Sequence, residues 1–175
     1  GLGDVYKRQT EYIDAINNAA AQLSGQTNVY DILVPNNSGV LLSDDELDKL
    51  GGSDQKQAIE YYYGMMNGVK TVDIFDTLKA HKDEYIFFRT DHHWTADGAY
   101  YAYEDFCKTK GITAIPRDKR KTDTFKGFLG SFYSTLQNSD MKNNPDTIYA
   151  YEPIGTNDMT YWNEDGSEQK WNVIM

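Results

Sequence analysis

The sequence predicts an α/β protein built on a parallel sheet covered by helices. Three observations carry this. Short apolar runs, each closed by a breaker or a polar loop, recur at Asn28–Val34, Val69–Val72 and Tyr85–Arg89. Segments with helical spacing or helix caps separate them, which is the pattern of βα repeats. After Pro116 the character changes to aromatic, Gly-rich and turn-rich sequence, which reads as an excursion from the sheet.

In chain order, Thr10–Leu23 is a helix, with Tyr12, Ile13, Ile16, Ala20 and Leu23 on one face and Ser24-Gly25 as the stop. Asn28–Val34 is the first strand, closed by Pro35, and Pro35–Gly39 is a loop at its carboxyl end. Ser43-Asp-Asp-Glu46 is a capping box whose helix ends at Gly51-Gly52. Ser53 is expected to cap a helix over Gln55–Met66, and Asp73 one over Ile74–His81 with Phe75 and Leu78 inward. Between them Val69–Val72 is the second strand, and Tyr85–Arg89 is the third. Thr95 caps the helix Ala96–Lys110, with Asp97 suited to its first turn and Gly111 as terminator. Cys107, the single cysteine, belongs to the core of that helix and excludes an internal disulfide. Beyond residue 117 come strands at Thr147–Tyr151 and Met159–Trp162, the latter joined to Gln169–Val173 by an Asp165-Gly166 turn.

Bulk properties narrow the function. With 175 residues the chain can bury a core, and no run approaches the ~18 apolar residues of a membrane span. A formal net charge of −10 argues against nucleic acid as a partner, because phosphate binding needs clustered cations. The basic run Arg117–Lys121 is read as a solvated loop. Residues 1–9 resemble the translated end of a sequencing adapter and are set aside from fold reasoning, leaving 10–175 as the domain and 117–175 as its irregular, β-hairpin insertion. Trp171–Met175 ends in an apolar run, so the chain is expected to be an internal piece of a longer protein.

The chemistry concentrates in Thr90-Asp91-His92-His93-Trp94, between the third strand and the next helix. Asp91 and His93 are two apart, and in extended backbone such residues share a side. A carboxylate beside an imidazole fixes its tautomer and frees the other ring nitrogen as a general base for a hydroxyl nucleophile. The plainer reading makes Asp91 a loop cap and His93 a structural hydrogen-bonding residue. Arg89 pairs with Asp91 or a substrate acid, or forms a surface salt bridge; Trp94 walls a sugar site or packs on the following helix. Asn36, or Asn37, stands where an oxyanion donor would be needed, or is an ordinary turn residue.

Arg89-Thr-Asp-His-His-Trp-Thr-Ala-Asp-Gly-Ala99 resembles the signature of the DHHW family of bacterial proteins. It is also similar to the Asp-x-His-Trp motif of the alginate O-acetyltransferases of AlgX/AlgJ type, which are SGNH-hydrolase-like. Val34-Pro35 with its polar loop and Phe128–Tyr133 are weaker echoes, and the likeness covers roughly 28–135. The resemblance implies a flavodoxin-like, three-layer SGNH-hydrolase-like fold, incomplete here. It makes Asp91 the orienting acid and His93 the base of a serine that lies beyond Met175. Ser131 and Ser134 come too early and lack a strand leading into them. His92 departs from the acetyltransferase motif, which has a small polar residue there; with Asn36, Arg89 and Trp94 it is a candidate for substrate contacts. The implied function is O-acetyl transfer to, or ester hydrolysis on, an exported polysaccharide or cell-wall glycan. A membrane-bound O-acyltransferase would be its partner, and no cofactor or metal is called for. The protein is expected outside the cytoplasmic membrane, anchored by an N-terminal segment. Two rivals stand beside this: a non-catalytic, cell-surface carbohydrate-binding domain, and a metal-dependent DHH-type phosphoesterase, whose further Asp-x-Asp after a strand the sequence lacks.

Overall fold

A computed structural model describes residues 2–152 and 158–172, with side chains for 10–152 and 159–170. The fold is mixed α/β and divides into two units. One holds residues up to Glu84 together with Tyr101–Ile112; the other holds Tyr85–Tyr100 together with the chain from Thr113.

In the first unit α1 (Leu2–Gln22) buries Ile13 and Ala20. The strand β1 (Val29–Asp31) follows; it is shorter than Asn28–Val34 because Leu33 N–H turns to the Tyr63 hydroxyl (2.8 Å) instead of a neighbouring strand. The expected loop after Pro35 is in fact a short helix, α2 (Asn37–Leu41), started by Asn36. The capping box forms as read: Ser43 and Glu46 exchange hydrogen bonds at the start of α3 (Asp44–Lys49). The next helix, α4 (Gln55–Gly64), is capped by Asp54 rather than Ser53, since the carboxylate accepts the Gln57 N–H at 2.9 Å. Then β2 (Val69–Thr71) lies parallel to β1, with Val29 opposite Val69 and Asp31 opposite Thr71. Asp73 does not occupy the cap position of α5 (Phe75–Ala80), which falls to Ile74, but its carboxylate still accepts the Phe75 N–H. Val40, Val72, Ile74 and Leu78 are fully buried. The later part of α6 (Ala96–Lys110) adds Cys107, at 1% exposure, and Phe106, whose ring meets Tyr30 edge-on at 5.2 Å. Burial of this kind gives an alkyl or thiol side chain its contribution to the core, about 25 cal/mol for each Å² of apolar area removed from water.

Among the described residues parallel pairing is confined to β1 and β2. The third expected strand, Tyr85–Arg89, is not one. Ile86 and Phe87 are buried, as the apolar run required, but the segment pairs with its own return through a single bridge, Phe87 to Trp94. Thr95 N–H donates to the Ile86 carbonyl (2.9 Å) and Phe88 N–H to that of His93 (3.2 Å). A buried backbone must find partners somewhere, and here the motif loop supplies them.

The second unit is antiparallel. After a single 3₁₀ turn at Arg117–Lys119, β3 (Thr122–Phe128) pairs with β4 (Asp146–Tyr151). A bulge falls at Gly127, whose φ of +89° admits a glycine and strains other residues. The intervening segment carries α7 (Ser131–Leu136) and α8 (Ser139–Asn143). The hairpin read around Asp165-Gly166 is present as β5 (Asp158–Trp162) and β6 (Glu168–Asn172); Val173 lies outside the described residues. No helix among the described residues is long and apolar enough to cross a membrane.

Candidate active site

The motif loop belongs wholly to the second unit, and its geometry begins with unsatisfied donors. A helix opens with N–H groups that have no partner within it. The residue ahead of α7 is Gly130, which has no side chain to cap them. The motif loop takes that place. The Thr90 carbonyl accepts from Phe132 N–H (3.0 Å) and Tyr133 N–H (3.3 Å), and Asp91 Oδ2 accepts from Ser131 N–H (2.7 Å). The approach is close enough to require glycine: a Cβ on Gly130 would stand 2.3 Å from the Asp91 Cβ and 2.4 Å from its Oδ2.

The other oxygen of Asp91 is used within the loop. Oδ1 accepts the His93 N–H at 2.8 Å and meets His93 Nδ1 at 2.5 Å. The two-residue spacing predicts the pair on extended backbone; it is formed instead by a turn in which the Asp91 side chain captures the N–H two residues on. Asp91 is 6% exposed, whereas the His93 side chain is 65% exposed. Burial works against the Asp91 charge, but the N–H donors of Ser131 and His93, with the His93 ring and the Ser131 hydroxyl, outweigh it and hold the carboxyl well below the usual carboxylate range. A fixed anion on Nδ1 leaves Nε2 of His93 available to take a proton, the arrangement of an oriented general base.

His92 is drawn in beside this pair. Its Nδ1 lies 2.6 Å from Ser131 Oγ, and its ring stands over that of His93 with centroids 3.9 Å apart. Ser131 thus enters the site, and a strand does lead into it: β3 runs to Phe128, three residues before. That strand was missed because most of its side chains face solvent, so no apolar alternation marks it. One donor atom from each of Asp91, His92 and His93 lies within 4.8 Å of the others, so the three could together hold a metal ion.

The remaining candidates go elsewhere. Arg89 does not pair with Asp91; its Nε is 3.4 Å from Asp146 Oδ1, its Nη2 donates to the Pro145 carbonyl, and it stands over the Tyr85 ring. Trp94 lines a shallow groove of about 320 Å³ with Ala96, Ala99, Phe125 and Tyr149. Thr95 Oγ1 accepts the Gly98 N–H (3.4 Å), the cap that was read for α6. Asn36, in the first unit, uses its Oδ1 to accept from Ser38 Oγ, Gly39 N–H and Gln55 Nε2, so it serves as a helix cap. Asn37 is the first residue of α2.

A mixed α/β fold with a carboxylate–imidazole pair on a loop ahead of a helix defines the class of protein to which this chain belongs. Within it the chain belongs to the DHHW family, whose DHHW protein description matches residues 6–175. Among solved structures it is similar to a DHHW family protein from Eubacterium siraeum DSM 15702, with 31% identity and a TM-score of 0.78 over 87% of this chain and 50% of that one. It also shares a fold with Bacillus cereus PatB1, solved with a sulfonyl adduct, at 19% identity and TM-score 0.70 over 94% and 56% of the two chains. The O-acetyltransferase domain of Pseudomonas putida AlgJ matches at 19% identity and TM-score 0.47, over 77% and 51%. The chain spans about half the length of these structures. A search of curated proteins found no match.

Two outcomes follow from this geometry. Gly130→Ala should push Asp91 off Ser131 and His93, and a crystal structure or ring-nitrogen NMR of His93 would record the loss. The Asp91 carboxyl titrates lower in the folded chain than in the unfolded one. Its stabilisation is therefore complete above the unfolded pKa of about 3.9 and drains as pH falls through the folded value. Unfolding free energies of the parent chain and Asp91→Asn should differ by a constant amount above about pH 5 and converge below it.

Proposed function

We propose that this chain carries the acid–base half of a serine-dependent O-acyl transfer or ester hydrolysis site, with Asp91 as orienting acid and His93 as base. The observation that carries the reading is the 2.5 Å contact between a buried, fully bonded Asp91 and Nδ1 of an exposed His93. The DHHW family membership and the fold shared with PatB1 are in keeping with it. The complete domain would be an SGNH-hydrolase-like, three-layer sandwich, with β1 and β2 as two strands of its parallel sheet.

The serine would come from sequence beyond residue 175. His93 Nε2 takes the proton of that hydroxyl as its oxygen bonds to the acyl carbonyl carbon. The bond from the acyl carbon to the donor oxygen then breaks, and the imidazolium returns the proton to the leaving oxygen. In the second half a sugar hydroxyl loses its proton to His93, attacks the acyl-serine and carries the acyl group away, while the serine regains the proton. Water in place of the sugar gives hydrolysis. An exported polysaccharide or cell-wall glycan is the acceptor we infer, with a membrane-bound O-acyltransferase as the donor side and an extracytoplasmic location. Trp94, with its neighbours in the groove, would contact a sugar ring of that acceptor.

The 175-residue chain should show no turnover of an activated acetyl ester above buffer. A chain extended to include the downstream serine should turn over, and lose roughly a thousandfold or more in His93→Ala. Turnover by the 175-residue chain that disappears in His93→Ala would place the nucleophile inside it and overturn this division.

The clustering of donor atoms from Asp91, His92 and His93 favours a second reading, a metal-dependent hydrolase. Against it, both Asp91 oxygens already accept N–H donors and His92 Nδ1 is bonded to Ser131. Calorimetric titration with Mn²⁺ should give no saturable heat; saturable heat that is abolished in both Asp91→Asn and His92→Ala would support the metal reading.

A further inference from the structure

Among the described residues of the second unit Asp146 is the most completely enclosed charged group, with no exposed surface, and it opens β4, far in sequence from the motif. Its carboxylate faces the backbone of the motif loop. Oδ2 accepts the Thr90 N–H at 2.7 Å and the Thr90 hydroxyl at 2.6 Å. Oδ1 accepts the Tyr85 hydroxyl at 2.5 Å and the Arg89 N–H at 3.2 Å. Thr90 passes the constraint on. Its Oγ1 accepts the Gly130 N–H at 3.1 Å, and its carbonyl accepts from Phe132 and Tyr133. The first residue of α7, Ser131, holds Asp91, and Asp91 holds His93.

We propose that Asp146 is a positioning residue of the acid–base site: anchored at the head of β4, it sets the Arg89–Asp91 backbone and, through Thr90 and the start of α7, the orientation of His93. This rests on the reading of Asp91 and His93 as an acid–base pair. The chemistry of the group explains why a carboxylate is needed rather than a residue of the same shape. Four donors converge on two oxygens, and a carboxylate is acceptor-only at both. An asparagine would keep the volume but set an N–H₂ group against one pair of those donors, leaving buried N–H and O–H groups without acceptors. The pair of donors lost would be either those of Thr90 or those of Tyr85 and Arg89, and each pair holds one edge of the motif loop.

The test uses the 175-residue chain with ¹⁵N-labelled histidine and reads ring tautomers by NMR, so it does not depend on turnover. His81 provides an internal reference. It lies in the other unit, with its own carboxylate partner, Glu84, 2.7 Å from its Nδ1 and its ring stacked on Tyr101. In the parent chain both rings should carry the Nδ1 proton, and the His93 proton should resonate downfield of ordinary ring N–H signals. Asp146→Asn should cost His93 that signal and its fixed tautomer while His81 keeps both. Thr90→Val, which removes the hydroxyl link and leaves the carboxylate in place, should act in the same direction and more weakly. If neither ring changes, or if both change together as in a chain that has simply lost its fold, the proposal is overturned. Absence of the His93 signal from the parent chain would defeat the acid–base reading itself, and with it this proposal. An esterase assay that fails on the extended chain while His93 still responds to Asp146→Asn would leave the positioning role standing without the reaction.

Discussion

The contact on which the second unit's chemistry depends is the one between the start of α7 and the carboxylate of Asp91. A short helix begins at a glycine that cannot cap it, and a buried carboxylate lacks water to solvate it. Each of these is unfavourable alone, since an unpartnered buried polar group costs on the order of 1–3 kcal/mol. Brought together, each supplies what the other lacks. The Ser131 N–H gains an acceptor, Asp91 keeps its charge, and Gly130 is the residue that lets the Asp91 side chain come close enough. His93 Nδ1 then meets an anion that is itself held by backbone N–H donors.

The surroundings assign separate tasks to neighbouring residues of one motif. Thr90 faces inward and is wholly buried, joined to Asp146 and Gly130. Asp91 is buried at the boundary, and His92 and His93 stand outside with their rings close and tilted to one another. Trp94 turns back to bridge Phe87, and Thr95 caps the next helix. Six consecutive residues thus pass from buried anchor to exposed edge and back to scaffold.

Much of the first unit was legible because its signals are local. A capping box needs four residues, and Ser43 to Glu46 formed it as read; the helix over Ala96–Lys110 and the buried Cys107 follow from periodicity and a cap. Where the reading failed, the deciding partner was distant or the signal was absent. Tyr85–Arg89 looks like a strand because it is apolar and buried, yet its backbone bonds to the loop that follows it. Nothing in the sequence around Asp146 announces that its carboxylate faces Thr90. Asn36 was read for its place after a strand, when its side chain was already committed to starting α2. The Asp91–His93 pair was legible from spacing, but the turn that makes it, and the glycine and serine that hold it, were not.

The separation between Thr90 and Asp146 has a consequence for the order of events during synthesis. The two ends of that hydrogen bond stand fifty-six positions apart in the chain. At about 5–20 residues per second, the motif leaves the ribosome several seconds before the carboxylate that anchors it exists. The residues of α7 follow only forty positions after Asp91, and those of β4 later still, so loop closures of this length must be made before the native contacts return anything. A nascent chain therefore carries the whole signature of its family before the residues that hold Asp91 and His93 in place have been made.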